Sequence, residues 1–423
     1  MRLLAFQTVT ALGLLAGCRE AGARPDSPAG LATVFDSTGD SVVARTDGAV
    51  PAAAVRRLVV ELRIAPAEED TSLFTEVSEF DVDRAGRLWV FDRPANTIFL
   101  FDSAGRLLRR VGRQGGGPGE LRSNSGMVVL GDSGLAVWDP QNARISFFDS
   151  LGGFRASWHT PPGFSTSDGL YTDRSGALFA RRPVTPPREG EILGRMGLVR
   201  LAPDGSFADS LAPPDLDVAR EVYVAERVFG KDSRNRSSMS SSFAPGYHWS
   251  WHPDGYFVVG HGGKYEIIAG RPDARPIVVR RAAPAVPVPS EERAEERERI
   301  TFSLRQTDPG WSWSGPALPE ARAPLASLFA SRDGRIWARV AAPSERIPVP
   351  ELDPPWRPGA PVMHFRSPVV YEVFAADGRF LGRIDFPLRS RLMEADGDRV
   401  WLLVRDENGL PAVTRFRIDP PLR

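Results

Sequence analysis

Two stretches of this chain are near copies of one another, and that repetition constrains the fold more than any other feature. Residues 86–112, GRLWVFDRPANTIFLFDSAGRLLRRVG, and 133–158, SGLAVWDPQNARISFFDSLGGFRASW, follow one plan. Each runs from a turn through an apolar strand, an Asp and a short Asn-bearing turn to a second apolar strand, then through Asp-Ser-x-Gly into a third. Asp92 and Asn96 correspond to Asp139 and Asn142, and the equivalent glycines Gly86 and Gly134 stand 48 positions apart. A period of roughly 40 to 50 residues with about four strands is that of a propeller blade.

The same turn signature recurs at TDRSGALFA (172–180), HPDGYFVVG (252–260), SRDGRIWARV (331–340) and EADGDRVWLLV (394–404), each followed by further extended segments. Six units result, the first two regular and the later ones stretched by long loops. The 40 glycines and 38 prolines fit a chain of many short strands and turns. Asp-Gly pairs suit tight turns because Gly tolerates positive φ and Asp bonds its own turn. Residues 369–374, VVYEVF, are apolar on both faces, as expected where sheets stack on both sides. A lone blade cannot bury both faces, whereas blades stacked in a ring can. The expected fold is therefore all-β, a six-bladed propeller over residues 31–423. The extended segments SVVAR (41–45) and RLVVELRI (57–64) precede the first unit, and one of them is expected to complete the last blade beside 400–404 and 413–418.

Between the first two units lies VGRQGGGPGELRS (111–123), with five glycines and a proline in thirteen positions. A phosphate loop needs Gly-Lys-Ser/Thr opening a helix, and no lysine is near. A dinucleotide fingerprint fails too: counted from Gly115, the sixth position is Glu120. The stretch reads as a crossover between blades. Together with Val137, Asp139, Asn142, Arg144-Ile145 and Phe148-Asp149, it resembles the NHL repeat of bacterial six-bladed propeller lipoproteins, over about 75 residues. The resemblance implies fold more than activity.

The N-terminus, MRLLAFQTVTALGLLAGC, has a basic residue, an apolar stretch and small residues before a cysteine, the pattern of a secretory signal. Leu15-Ala16-Gly17-Cys18 resembles the lipobox of bacterial lipoproteins. That implies cleavage after residue 17, lipid on the sulfur of Cys18 and membrane attachment through it. Cys18 is the only cysteine, so no disulfide competes for it. Residues 1–17 are then a signal peptide and 18–30 a flexible tether. Arg19 in place of Asp favours, in the lipoprotein pattern, the outer membrane of the cell envelope. No later apolar run reaches spanning length. Basic and acidic residues number 53 each, which with no basic run argues against a nucleic-acid partner.

Candidate chemistry is sparse. GDSG at 131–134 evokes a serine nucleophile, but Ser133 occupies a repeat turn and the companion motifs of a protease are absent. YHWSWHPDGYFVVGH (247–261) holds His248, His252 and His261. These are weak zinc candidates, since i and i+4 on a strand lie roughly 13 Å apart. Some six-bladed propellers are lactonases that use a hard cation held by Glu, Asp and Asn. Here Asn96 and Asn142 have repeat roles, leaving Asn124, Asn235 and Asn408, so calcium or zinc stays open and no cofactor is expected. Trp249/Trp251 and Trp311/Trp313 are i, i+2 aromatic pairs: buried, they wedge between blades; exposed on a loop, they are the best ligand platforms available. PSEERAEERERITFSL (289–304) reads as a short charged helix capped by Ser290. The leading expectation is a non-enzymatic recognition scaffold for a protein, peptide or glycan, working through loops on one face. The alternative is a metal-dependent hydrolase or lyase with its site at the central channel.

Overall fold

The computed structural model describes residues 31–66, 73–160, 169–186, 194–219, 221–229, 233–352 and 355–423. Cys18 and the segments 1–17 and 18–30 lie outside them.

Six four-stranded antiparallel blades form a ring, each running outward from an inner strand. Blade 1 comprises Val77–Val82, Leu88–Asp92, Thr97–Phe101 and Leu107–Val111. Blade 2 comprises Met127–Val129, Leu135–Asp139, Arg144–Phe148 and Phe154–His159. Blade 3 comprises Leu170–Thr172, Leu178–Pro183, Met196–Leu201 and Phe207–Leu211. Blade 4 comprises Tyr247–His252, Tyr256–His261, Glu266–Ala269 and Ile277–Ala282. Blade 5 comprises Leu325–Ala330, Ile336–Val340, Val369–Phe374 and Phe380–Phe386. Blade 6 takes Ser390–Asp396, Arg399–Arg405 and Pro411–Asp419, and its outer strand is Val55–Ile64 from the other end of the chain.

That outer strand also pairs, parallel, with the outer strand of blade 5 through Arg383 and Val55. Ser41–Asp47 instead lies parallel to Ile277–Ala282, widening blade 4 to six strands with Val34–Thr38. The two N-terminal segments thus hold different blades.

The greasy faces meet between neighbours. One buried cluster joins Trp401 and Val413 of blade 6, Trp89 and Phe101 of blade 1, and Val137 and Phe148 of blade 2. Others join blades 2 and 3, 3 and 4, 4 and 5, and 5 and 6. The interface of blades 4 and 5 also carries a charge: Glu372 accepts from Tyr265 Oη (2.6 Å) and Arg281 Nε (3.0 Å), all three buried. Paired and bonded in this way, the carboxylate avoids the cost of isolated burial.

The glycine-rich crossover is held by the blade that follows it. Arg144 donates to the carbonyls of Gly116 (3.2 Å), Gly117 (2.7 Å) and Glu120 (2.6 Å). Asn142 donates to Gly115 O (2.9 Å) and Asp139 (2.6 Å), while Asp139 accepts from the amides of Arg122 and Ser123. Asp92 does the equivalent in blade 1, accepting from the amides of Thr75 and Glu76. The left-handed residue at this turn of blade 2 is Ala143 (φ 48°), at the position equivalent to Asn96 (φ 46°) in blade 1. The Asn142 role is therefore that of a side-chain donor, one place off the turn position read from the sequence.

Strand alternation sends the links between first and second strands to one end of the ring and the long insertions to the other. There the hairpin Tyr223–Phe229/Ser233–Met239, the helix Ser290–Arg305 and the 307–320 segment pack into a satellite unit. The helix starts behind Pro289, and Ser290 makes no capping bond. One side of this charged helix is packed away: Glu292, Glu296, Ile300 and Leu304, four apart, are buried. Glu296 pairs with Arg299 (2.7 Å), and Glu292 pairs with Arg322 and Ser344. The buried stripe is half acidic, which is why apolar periodicity alone did not reveal it.

Candidate functional site

The inner strands surround a central cavity of about 1130 Å³. Each inner strand is an edge, so its outward amides need acceptors. Side chains of the preceding blade supply them. Met127 N donates to Glu79 Oε2 (3.0 Å), Val129 N to Asp81 Oδ2 (2.7 Å) and Ala330 N to Ser250 Oγ (2.9 Å). Asn124 adds a bond to Glu79 Oε2 (3.0 Å).

One wall, from blades 1 and 6, is acidic. The inner strands of both blades break register at a bulge, between Val77 and Glu79 and between Leu392 and Glu394, and the residue after each break is a carboxylate lining the cavity. Bulges re-aim side chains in this way. Burial pushes Glu79 up to about 7 against the opposing bonds from Asn124 and Met127. Burial likewise pushes Glu394 up to about 7, opposed by Arg332 and reinforced by Asp81. Arg332 bridges Asp81 (3.0 Å) and Glu394 (2.9 Å), reaching from blade 5 to blades 1 and 6.

Arg332 belongs to a belt at the turn end of the channel. The second position of the first turn is arginine in the odd blades: Arg84, Arg174 and Arg332. Each reaches a carboxylate of an even blade, respectively Asp132, Asp254 and Glu394. Arg174 Nη2 also donates to the carbonyl of Arg332 (3.2 Å).

The facing wall, from blades 3 and 4, is aromatic and cationic. Tyr171 lies 6.1 Å from Trp249, and the Arg181 guanidinium stands 5.4 Å over the Trp249 ring. Among the described residues no ion pair involves Arg181, and its Nε is buried without a hydrogen-bond partner. In a six-membered ring, blades 3 and 4 stand opposite blades 6 and 1.

The residues singled out in the sequence scatter. Trp249 and Trp251 both border the cavity, but Trp251 is 7% exposed and wedged against Phe179 (5.0 Å) and Phe257 (4.9 Å). Trp311 and Trp313 lie outside the strands but face into the satellite. Trp311 Nε1 donates to Val224 O (2.9 Å), and Trp313 packs on Tyr223 with Arg297 over its ring. His248 lines the cavity, and burial lowers its pKa. His252 is fully buried between Gly334 O (3.1 Å) and the Asp254 amide (3.1 Å), and burial pushes it down to about 4, so it is neutral. His261 meets Asp217 O (3.2 Å). Among the described residues no three His, Cys, Asp or Glu side chains are grouped to hold a metal ion. Ser133 stays in its turn, its amide on Leu130 O (2.9 Å).

Sequence reasoning passed over Glu79, Asp81, Arg181, Arg332 and Glu394. The signal was positional. Two residues before the first turn, blades 2 to 5 carry Val128, Tyr171, Ser250 and Phe329, whereas blades 1 and 6 carry Asp81 and Glu394.

The family model DUF5128, described as a six-bladed β-propeller, matches residues 68–147. Among solved structures, a DUF4221 family member from Bacteroides vulgatus is 14% identical, covering 86% of this chain and 98% of its own, with a TM-score of 0.50. A Bacteroides fragilis protein described as exported is 11% identical over 86% of this chain and 99% of its own, with a TM-score of 0.44. A gluconolactonase from Xanthomonas campestris is 15% identical over 82% of this chain and 86% of its own, at 0.36. No curated protein matches. The chain is a six-bladed β-propeller. At these identities the likeness speaks to fold and leaves the channel to be read on its own chemistry.

Proposed function

We propose that this propeller is a non-enzymatic recognition scaffold of the bacterial cell envelope, tethered by lipid on Cys18, and that it takes a polar organic ligand, a peptide or a glycan, into its central channel. The observation that carries this reading is the 1130 Å³ cavity with Trp249 and Tyr171 on its wall beside several polar side chains. A cavity of this size suits a ligand of a few residues or sugar rings, where an aromatic face gives area and polar groups fix orientation. The channel takes the place of the face loops, because Trp311 and Trp313 serve the satellite core. The lipid tether rests on the lipobox pattern ending at Cys18.

The test uses the mature chain with Cys18→Ser, which should leave the membrane fraction without change to the ring. Peptides and oligosaccharides are screened by thermal shift. A ligand at a hundred times its Kd should add about 2.7 kcal/mol of stability. Trp249→Ala should abolish that shift and Trp249→Phe retain part of it. Ligands that stabilise the Trp249→Ala protein as well as the parent would place binding elsewhere and refute the channel reading.

A further inference from the structure

The two walls of the channel carry opposite charge. On blades 1 and 6, Asp81 and Glu394 share the guanidinium of Arg332, and Glu79 lines the cavity beside them with its carboxylate on Asn124 and the Met127 amide. Arg181, on the opposing side, has no counter-ion among the described residues and rests on the face of Trp249. A guanidinium stacked on an indole is held in place with its edge donors free, the arrangement that suits bidentate recognition of a carboxylate. A wall with more carboxylates than cations suits an ammonium group. A neutral sugar would leave both walls uncompensated, and a simple anion or cation would satisfy one and be repelled by the other.

Building on the channel reading, we infer that the ligand is a zwitterion, a short peptide with free ends. It lies across the channel with its C-terminal carboxylate on Arg181 and its terminal ammonium on the Glu79/Glu394 wall. The ligand carboxylate gives Arg181 the counter-ion it lacks, and the ammonium adds positive charge to a wall where carboxylates outnumber the one bridging guanidinium, so end groups dominate recognition and side-chain identity matters less. The inner strands of blades 2 and 5 lie between the two poles. There Val128, Val129, Leu328 and Phe329 offer apolar surface to the body of the peptide.

The probe is a defined mixture of tripeptides, prepared with both ends free, with the C-terminus amidated and with the N-terminus acetylated. Binding to the full mature chain is read by equilibrium dialysis with mass spectrometry. Amidation and acetylation should each weaken binding by tenfold or more. In Arg181→Gln the amidation penalty should fall within twofold while the acetylation penalty persists. In the Glu79→Gln/Glu394→Gln double variant the pattern should reverse. Arg181→Lys should restore part of the amidation penalty, and melting curves confirm that each variant is folded. Penalties below twofold on the parent protein, or penalties that survive the matching variant, overturn the inference. If the tripeptides fail to bind while a neutral trisaccharide binds in a Trp249-dependent way, the zwitterion inference falls and the channel reading stands. If neither binds, both fall.

Discussion

Blades 1 and 2 and the satellite unit solve the same problem in opposite ways. In the paired blades a short pattern is written twice, and each polar residue of the pattern has a local structural task. Asp92 and Asp139 collect the amides of the incoming chain, and Arg144 collects the carbonyls of the glycine crossover. The satellite has no internal copy. It is assembled from two insertions, one before blade 4 and one after it, and its core depends on Trp311, Tyr223, Ile300 and Leu304 meeting in space. Repetition makes structure local and readable; insertion makes it depend on partners far along the chain.

The largest test of that difference removes the non-local closure from the regular part. Deleting Val55–Ile64 strips blade 6 of its outer strand and blade 5 of a neighbour, and exposes the edge of Pro411–Asp419. A single core that closes on itself has no spare capacity, so the ring should fail to fold, read as loss of the cooperative melt and of strand signal by circular dichroism. Deleting Val34–Thr38, which only pads blade 4, should leave that melt intact. A cooperative melt in the first deletion would show that the ring does not need its closing strand.

The next effect separates ring from satellite. Trp311→Ala should cost the satellite about 3–5 kcal/mol, the usual price of truncating a buried tryptophan. Hydrogen exchange should then rise in Tyr223–Phe229 and the helix, with the blades still protected. Arg144→Ala leaves three crossover carbonyls without their donor, a cost of about 2–4 kcal/mol. That loss falls on the ring itself, so the whole melt should shift. A global shift from Trp311→Ala, or a local one from Arg144→Ala, would erase the distinction.

The same contrast explains what could be read in advance. The blade period, the crossover and the placement of Asp92 and Asp139 follow from spacing, because a turn constrains residues three or four apart. The helix was found, but its buried face was not: Glu292 and Glu296 read as solvent-exposed until Arg322 and Arg299 supply their partners. The acidic wall was missed for a related reason. Glu79 and Glu394 lie over 300 positions apart and meet only because blade 6 returns to blade 1, and bulges shift both out of simple alternation. Trp311 and Trp313 drew attention as aromatics, yet an i, i+2 pair carries no sign of whether its loop folds inward.

The smallest effect concerns the two buried acids and distinguishes the channel wall from the repeat carboxylates. Glu79 and Glu394 titrate near 7 in the folded chain, against an ordinary value of 4.5. Between these values the native state holds protons that the unfolded state has released. Stability therefore falls as pH rises from about 4.5 through 7, and the loss is complete above the folded value. Each acid contributes up to about 3 kcal/mol to this slope at full ionisation, less where Arg332 shares the charge. Asp102 and Asp149, in the repeat turns, are shifted the other way, held down chiefly by backbone amide bonds from Arg106 and Gly153. They stabilise the fold above their unfolded value and lose that contribution only in strong acid. The parent protein should melt lower at pH 8 than at pH 6, and the Glu79→Gln/Glu394→Gln variant should show little difference between the two. A flat profile in the parent would mean that the wall is solvated enough to stay ionised, and the channel would then resemble the blade surface rather than differ from it.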